Sequence, residues 1–107
     1  MNIERSAGIL LHPTSLASEY GIGDLGPKAY QSINFLKNAG QTLWQMFPLG
    51  PTGYGDSPYQ CFSAFAGNPL LISPELLYRD CLLDHTDLSN ISFLNSHQID
   101  YGLVSNY

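Results

Sequence analysis

The sequence predicts an α/β fold built on parallel strands, and three observations carry that expectation. Ala7-Gly8-Ile9-Leu10-Leu11-His12 is a short, almost continuous apolar run stopped by Pro13, and Thr42-Leu43-Trp44-Gln45-Met46-Phe47 is a second one stopped by Pro48. Between them lies a stretch with helical spacing and both ends marked. Short unbroken apolar runs suit strands covered on both faces. A helix joining two such strands is the parallel crossover unit.

After the first strand, Thr14 to Gly26 reads as a loop, with the turn residues Tyr20-Gly21-Ile22-Gly23-Asp24 inside it. Gly26-Pro27 then places proline at a first helical position, and Gly40 stands where a glycine cap ends a helix. Ala29, Ile33 and Leu36, with Tyr30 beside them, give that helix one apolar face. Beyond the second strand comes a long loop, Gly50 to Pro69. Leu70-Leu71-Ile72 is a further short apolar run, a candidate third strand, and Ser73-Pro74-Glu75 opens a second helix running to Cys81 with Leu76, Leu77 and Cys81 inward. From Asp84 the pattern weakens into polar turns, with a helical turn near Ser92 to Asn95. Two or three strands with one or two helices leave open sheet edges and uncovered apolar faces, so the chain reads as the beginning of something larger.

A hydrophobic content of 44% in 107 residues is enough for a folded core and argues against disorder. Nine acidic residues against four basic ones, with no Lys or Arg run, argue against nucleic acid or an anionic membrane as partner. The apolar stretch Ala7 to Leu11 is too short for a signal peptide or a membrane span, so a cytoplasmic location is expected. In that compartment Cys61 and Cys81 are expected as free thiols, and the acceptor-like triplet Asn90-Ile91-Ser92 as chance.

The chemistry lies in Gly50 to Pro69, GPTGYGDSPYQCFSAFAGNP, which combines four Gly and three Pro with two Tyr and two Phe. Sugars present apolar C–H faces and a rim of hydroxyls, and flat rings with a phenol, such as Tyr54 and Tyr59, meet both. Asp56 and Ser57 would add polar partners. The competing reading is an Ω-like loop packed by its own rings, and for Phe62 and Phe65, which lack a polar handle, filling core space is favoured. For Tyr54 and Tyr59 composition leaves the two readings balanced, and for Asp56, beside Gly55, a turn role is slightly favoured.

Glycoside chemistry needs two carboxyl groups facing each other across the scissile bond. Asp24 and Asp56 follow different strands, yet turn or capping roles account for each. His12, His85 and His97 show no metal-ligand spacing; His12, at a strand end, is better read as a satisfied structural residue than as a ligand contact. Gly21-x-Gly23-x-x-Gly26 has the dinucleotide spacing but lies several residues past its strand.

Several stretches together resemble one family. Gly8-Ile9-Leu10-Leu11-His12-Pro13-Thr14-Ser15-Leu16, Tyr20-Gly21-Ile22-Gly23-Asp24-Leu25-Gly26, Trp44-Gln45, Pro48-Leu49-Gly50-Pro51-Thr52-Gly53-Tyr54-Gly55-Asp56-Ser57-Pro58-Tyr59-Gln60, Ser63-Ala64-Phe65-Ala66-Gly67-Asn68-Pro69 and Ile99-Asp100-Tyr101-Gly102 are similar to the amylomaltases. These are the 4-alpha-glucanotransferases of glycoside hydrolase family 77, called disproportionating enzymes in plants. The resemblance implies a (β/α)8 TIM barrel with extra subdomains, acting on α-1,4-glucans by retaining double displacement, with no cofactor and no metal. It implies substrate contacts at Tyr59, Ser57 and Asp56, and a glucan platform at Tyr54 and Tyr101. Ala17 and Glu19 replace expected prolines and Cys61 a common serine, without touching those contacts. A barrel of this kind needs about 250 residues, so residues 1–107 are expected to be an incomplete N-terminal portion of it. The family's nucleophile and acid/base would then lie on later strands, leaving no catalytic residue in this chain. The remaining barrel half is an expected partner, and a non-catalytic glucan-binding protein is the alternative.

Overall fold

The computed structural model describes residues 4–89 and 98–105. The triplet Asn90-Ile91-Ser92, the turn expected near Ser92 to Asn95, and His97 lie outside the described residues.

The crossover unit forms as the sequence predicts. Strand β1 (Gly8–Leu10) pairs in parallel with β2 (Leu43–Gln45), setting Gly8 opposite Leu43, Ile9 opposite Trp44 and Leu10 opposite Gln45. Beyond the strand limits, the Thr42 N–H donates to the Ala7 carbonyl and the Leu11 N–H to the Gln45 carbonyl, both at 3.0 Å. Trp44 adds a side-chain tie, its Nε1–H donating to the Leu11 carbonyl at 2.6 Å. Helix α1 (Pro27–Asn38) makes the connection. It ends as Gly40 takes φ 76°, with the Gly40 N–H on the Lys37 carbonyl at 3.1 Å and the Gln41 N–H on the Leu36 carbonyl at 2.9 Å. Those two bonds are the Schellman pair, and the left-handed residue between them favours glycine.

Among the described residues three short α-helices follow: α2 (Pro74–Arg79), α3 (His85–Ser89) and α4 (Tyr101–Ser105). The Ser73 hydroxyl caps α2, accepting the Leu76 N–H at 3.3 Å. Replacing Ser73 with alanine orphans that donor at a buried position, and should lower the unfolding free energy by about 1 kcal/mol in a urea titration. Asp84 and Asp87 start α3, the Asp84 N–H donating to the Asp87 carboxylate at 2.8 Å. Asp100 starts α4 by accepting the Leu103 N–H at 3.0 Å.

The core lies under the loop after β1 rather than on the sheet. Pro13 is fully enclosed, and Ile22, Ala29, Leu71 and Val104 are buried with the polar residues Thr14, Asp24, Asn68 and Ser73. Backbone bonds hold the layers together: Gly23 N–H to the Thr14 carbonyl at 2.8 Å and Leu25 N–H to the Leu71 carbonyl at 2.9 Å.

Asp24 accepts the Gly26 N–H at 2.9 Å, a turn that leads into α1. Burial pushes its carboxyl pKa up; the Gly26 bond opposes this and the Glu75 charge adds to it. With the folded pKa above the ordinary 3.8, the native state holds the proton longer than the unfolded chain, so ionisation costs stability as pH rises past 3.8. Asp24→Asn keeps the acceptor and removes the charge. Urea unfolding at pH 7 should find the variant level with the wild type or up to about 1 kcal/mol more stable, with the difference vanishing in acid; a clear loss at pH 7 would contradict this account.

Several expectations are corrected. The third strand is instead a 3-10 turn, Pro69–Leu71, because the Asn68 carboxamide accepts the Leu70 N–H at 3.0 Å and Pro69 presets the first position. The strands are not covered on both faces: Ile9, Leu10 and Leu43 are exposed, since one crossover helix cannot roof a two-stranded sheet. On α1 only Ala29 is buried; Leu36 is half-buried, and Ile33 and Tyr30 are exposed. Cys81 is exposed rather than inward, as it sits past the end of α2 with φ 61°. The Leu82 N–H to the Leu77 carbonyl, at 2.9 Å, closes that end.

Candidate functional site

Because β1 and β2 run the same way, everything that follows them emerges at one edge. The loop after β2 is clipped at its base by the Asn68 N–H on the Leu49 carbonyl at 3.0 Å. Above the clip, short local bonds set its shape. The Asp56 N–H reaches the Gly53 carbonyl at 3.2 Å and the Gln60 N–H the Ser57 carbonyl at 3.1 Å. The Ser57 hydroxyl accepts the Tyr59 N–H at 3.3 Å, and the Cys61 thiol donates to the Ser63 carbonyl at 2.8 Å. Gly55 and Asp56 take φ 65° and 55° in succession, a left-handed pair that aspartate tolerates better than most side chains. The closed neck is the Ω-like feature expected from the sequence.

The rings inside it behave otherwise than expected. Phe62 is 93% exposed and Phe65 99%, so neither fills core space. Nothing among the described residues lies over them. Tyr54 is 88% exposed and Tyr59 67%, Asp56 is exposed and Ser57 half-buried. These four stand on consecutive turns of one projecting loop. Tyr101 is half-buried at the start of α4; the described ring pairs do not join it to Tyr54.

One of those ring pairs leads back to the strands. Tyr59 leans on Phe47, ring centroids 5.6 Å apart at 56°, and Phe47 lies against His12, again 5.6 Å at 31°. His12 is buried, and its Nδ1 has no hydrogen-bond partner among the described residues, which corrects the reading of a satisfied structural histidine. Burial lowers its pKa, so the ring is neutral at neutral pH. By sequence Phe47 is only the end of an apolar run. Its part here follows from the pairing register, a signal that a single apolar run does not carry.

Two open clefts of about 410 and 430 Å³ lie elsewhere, the first lined by Leu25, Leu49, Leu71, Leu76 and Leu77 and the second by Tyr20, Ile22, Leu70, Leu83 and Val104. Both linings are chiefly apolar, with Asn68, Ser73 and Asp80 the polar side chains of the first and Tyr20, Asp24 and Asp87 those of the second. No described helix is long and apolar enough to cross a membrane.

A parallel crossover unit that carries an aromatic, turn-rich loop at the C-terminal edge of its strands defines an α/β protein of the kind that meets its ligands at that edge. Comparison with known proteins narrows the class. The family model described as 4-alpha-glucanotransferase matches residues 11–107, and the chain belongs to that family. It is 64% identical over 104 residues to a 4-alpha-glucanotransferase of Thermus thermophilus, and 51% over 104 residues to one of Synechocystis. Each match takes in 97% of this chain and 20% or 21% of the relative. Among solved structures it is similar to an amylomaltase from Streptococcus agalactiae in complex with acarbose, with TM-score 0.89 and 42% identity over 96% of this chain and 21% of that one. The chain thus spans about a fifth of the length of these relatives.

Proposed function

We propose that residues 1–107 form the N-terminal part of the catalytic (β/α)8 barrel of a 4-alpha-glucanotransferase, its first βα units, and that they supply substrate contacts rather than the bond-breaking groups. The substrates are α-1,4-glucans: maltooligosaccharides, amylose and glycogen. Asp56, Ser57 and Tyr59 face the reacting glucan, and Tyr54 and Tyr101 form a platform further along it. The observation that carries this reading is the clipped loop at the strand edge, which holds Tyr59 with its ring largely open and Ser57 and Asp56 beside it.

In the chemistry that fits, a carboxylate outside these residues attacks the anomeric carbon and the glucosidic C–O bond breaks, its oxygen taking a proton from a second carboxyl. The 4-hydroxyl of another glucan then attacks the glucosyl-enzyme and returns its proton to that second group, so configuration is retained. The remaining barrel covers the open strands and the exposed Ile9, Leu10 and Leu43. The protein works in the cytoplasm, without cofactor or metal and without nucleic acid or membrane as partner.

The test is to incubate the full-length gene product with maltotriose. Glucose together with longer maltooligosaccharides is the expected outcome; glucose and maltose alone would mean hydrolysis instead of transfer. Absence of both, with a glucan-dependent change in Trp44 fluorescence, would move the reading to a glucan-binding protein without chemistry.

A further inference from the structure

We infer that His12 is a positioning residue for Tyr59, acting through the ring of Phe47; this rests on the reading of Tyr59 as a sugar contact. The parallel register pairs each residue of β1 with the one 35 positions on, and the same offset, carried past Leu10 and Gln45, sets Phe47 beside His12. The first ring contact thus lies two residues past the paired strands, in the register they set. Tyr59 adds a second tilted ring contact to Phe47. Among the described residues its backbone is held locally, by the Ser57 hydroxyl, and the residue is 67% exposed. What fixes the direction of its ring is Phe47, and what backs Phe47 is an imidazole that is only 8% exposed.

The Nδ1 side of the His12 ring is enclosed by protein and makes no polar contact among the described residues, so no hydrogen bond there turns the imidazole toward another group. A sugar hydroxyl would have to displace protein atoms to reach it. An uncharged ring, kept so by burial, stacks on Phe47 without holding a cation away from water.

The experiment uses the full-length protein, with maltoheptaose as substrate, and reads KM and kcat for transfer in His12→Ala, His12→Phe, His12→Asn and Tyr59→Ala, and in each His12 change combined with Tyr59→Ala. His12→Ala should raise KM by about tenfold, with a smaller effect on kcat, and by less than about twofold once Tyr59 is gone, since coupled residues are not additive. His12→Phe should restore the wild-type KM to within about twofold, because a ring suffices for stacking, whereas His12→Asn should not. Equal losses with and without Tyr59 would overturn the inference in favour of general loosening. Rescue by asparagine and not by phenylalanine would overturn it in favour of a direct hydrogen bond. If His12→Ala does not fold, the phenylalanine and asparagine variants carry the same comparison. A Tyr59→Ala protein with unchanged KM would sink the sugar-contact reading itself, which a Tyr59 effect without coupling to His12 would leave standing.

Discussion

Replacing Tyr59 with alanine is expected to weaken maltoheptaose binding by about thirty- to a hundredfold while leaving the fold intact. A ring stacked on a sugar face contributes about 0.5–1.5 kcal/mol beyond its area and a phenol hydrogen bond a similar amount, so with the apolar area they bury about 2–2.7 kcal/mol is lost. Tyr59→Phe keeps the ring and should lose only about fivefold. The residue's exposure is why stability should be spared: its described ring contact is with Phe47 alone, and the loop carries little of the core. Calorimetric titration of the full-length protein gives the affinities, and a urea titration the stability. Wild-type affinity in the alanine variant would remove the loop from the glucan site.

The second large effect is expected at Gly53. A Cβ there would overlap the Gln60 carbonyl oxygen and come within 3.4 Å of the Phe62 ring, so the two limbs of the loop must part. Backbone atoms cannot give way as a flexible side-chain tip can. Gly53→Ala should therefore displace Tyr54 and Tyr59 together and weaken glucan binding by at least about tenfold, the scale on which small misplacements act in such sites. Unfolding free energy should fall by less than about 1 kcal/mol, because the loop projects from the core. Gly67→Ala is the control within the same loop: its Cβ would enter open space, and its binding should match the wild type. Equal losses in both variants would show that the limb contact has no special part.

The crossover unit was legible because its markers are local. Pro27 and Gly40 delimit α1 through the conformations they impose, and Pro13 and Pro48 stop the two apolar runs regardless of what surrounds them. Ser73 announced α2 in the same way. Burial was not legible, because it depends on distant covering layers: Ile9 and Leu43 have the composition of covered strands and are exposed. The same gap misplaced Phe62 and Phe65. Leu70-Leu71-Ile72 looks like a strand by composition, but the carboxamide of Asn68 offers the backbone a turn first. Helices α3 and α4 are too short for periodicity to register, although Asp84 with Asp87, and Asp100 three residues before Leu103, are capping signals in the sequence.

In the site, the proposed glucan contacts rest on the resemblance, and the loop on its turn residues. The ring stack beneath Tyr59 was out of reach, since it depends on which residues of β1 and β2 lie side by side, and a pair of apolar runs leaves that register open.

Asn68 closes the loop's neck with its N–H while its side chain begins the next turn, so one residue both ends the loop and restarts the chain beyond it. Everything between Leu49 and Asn68 hangs from that clip as an exchangeable cassette. Residues can be added to or cut from its tip with the path onward from Pro69 left in place, so on the proposed reading of the loop as a glucan contact, substrate preference can be redesigned there by grafting without rebuilding the fold.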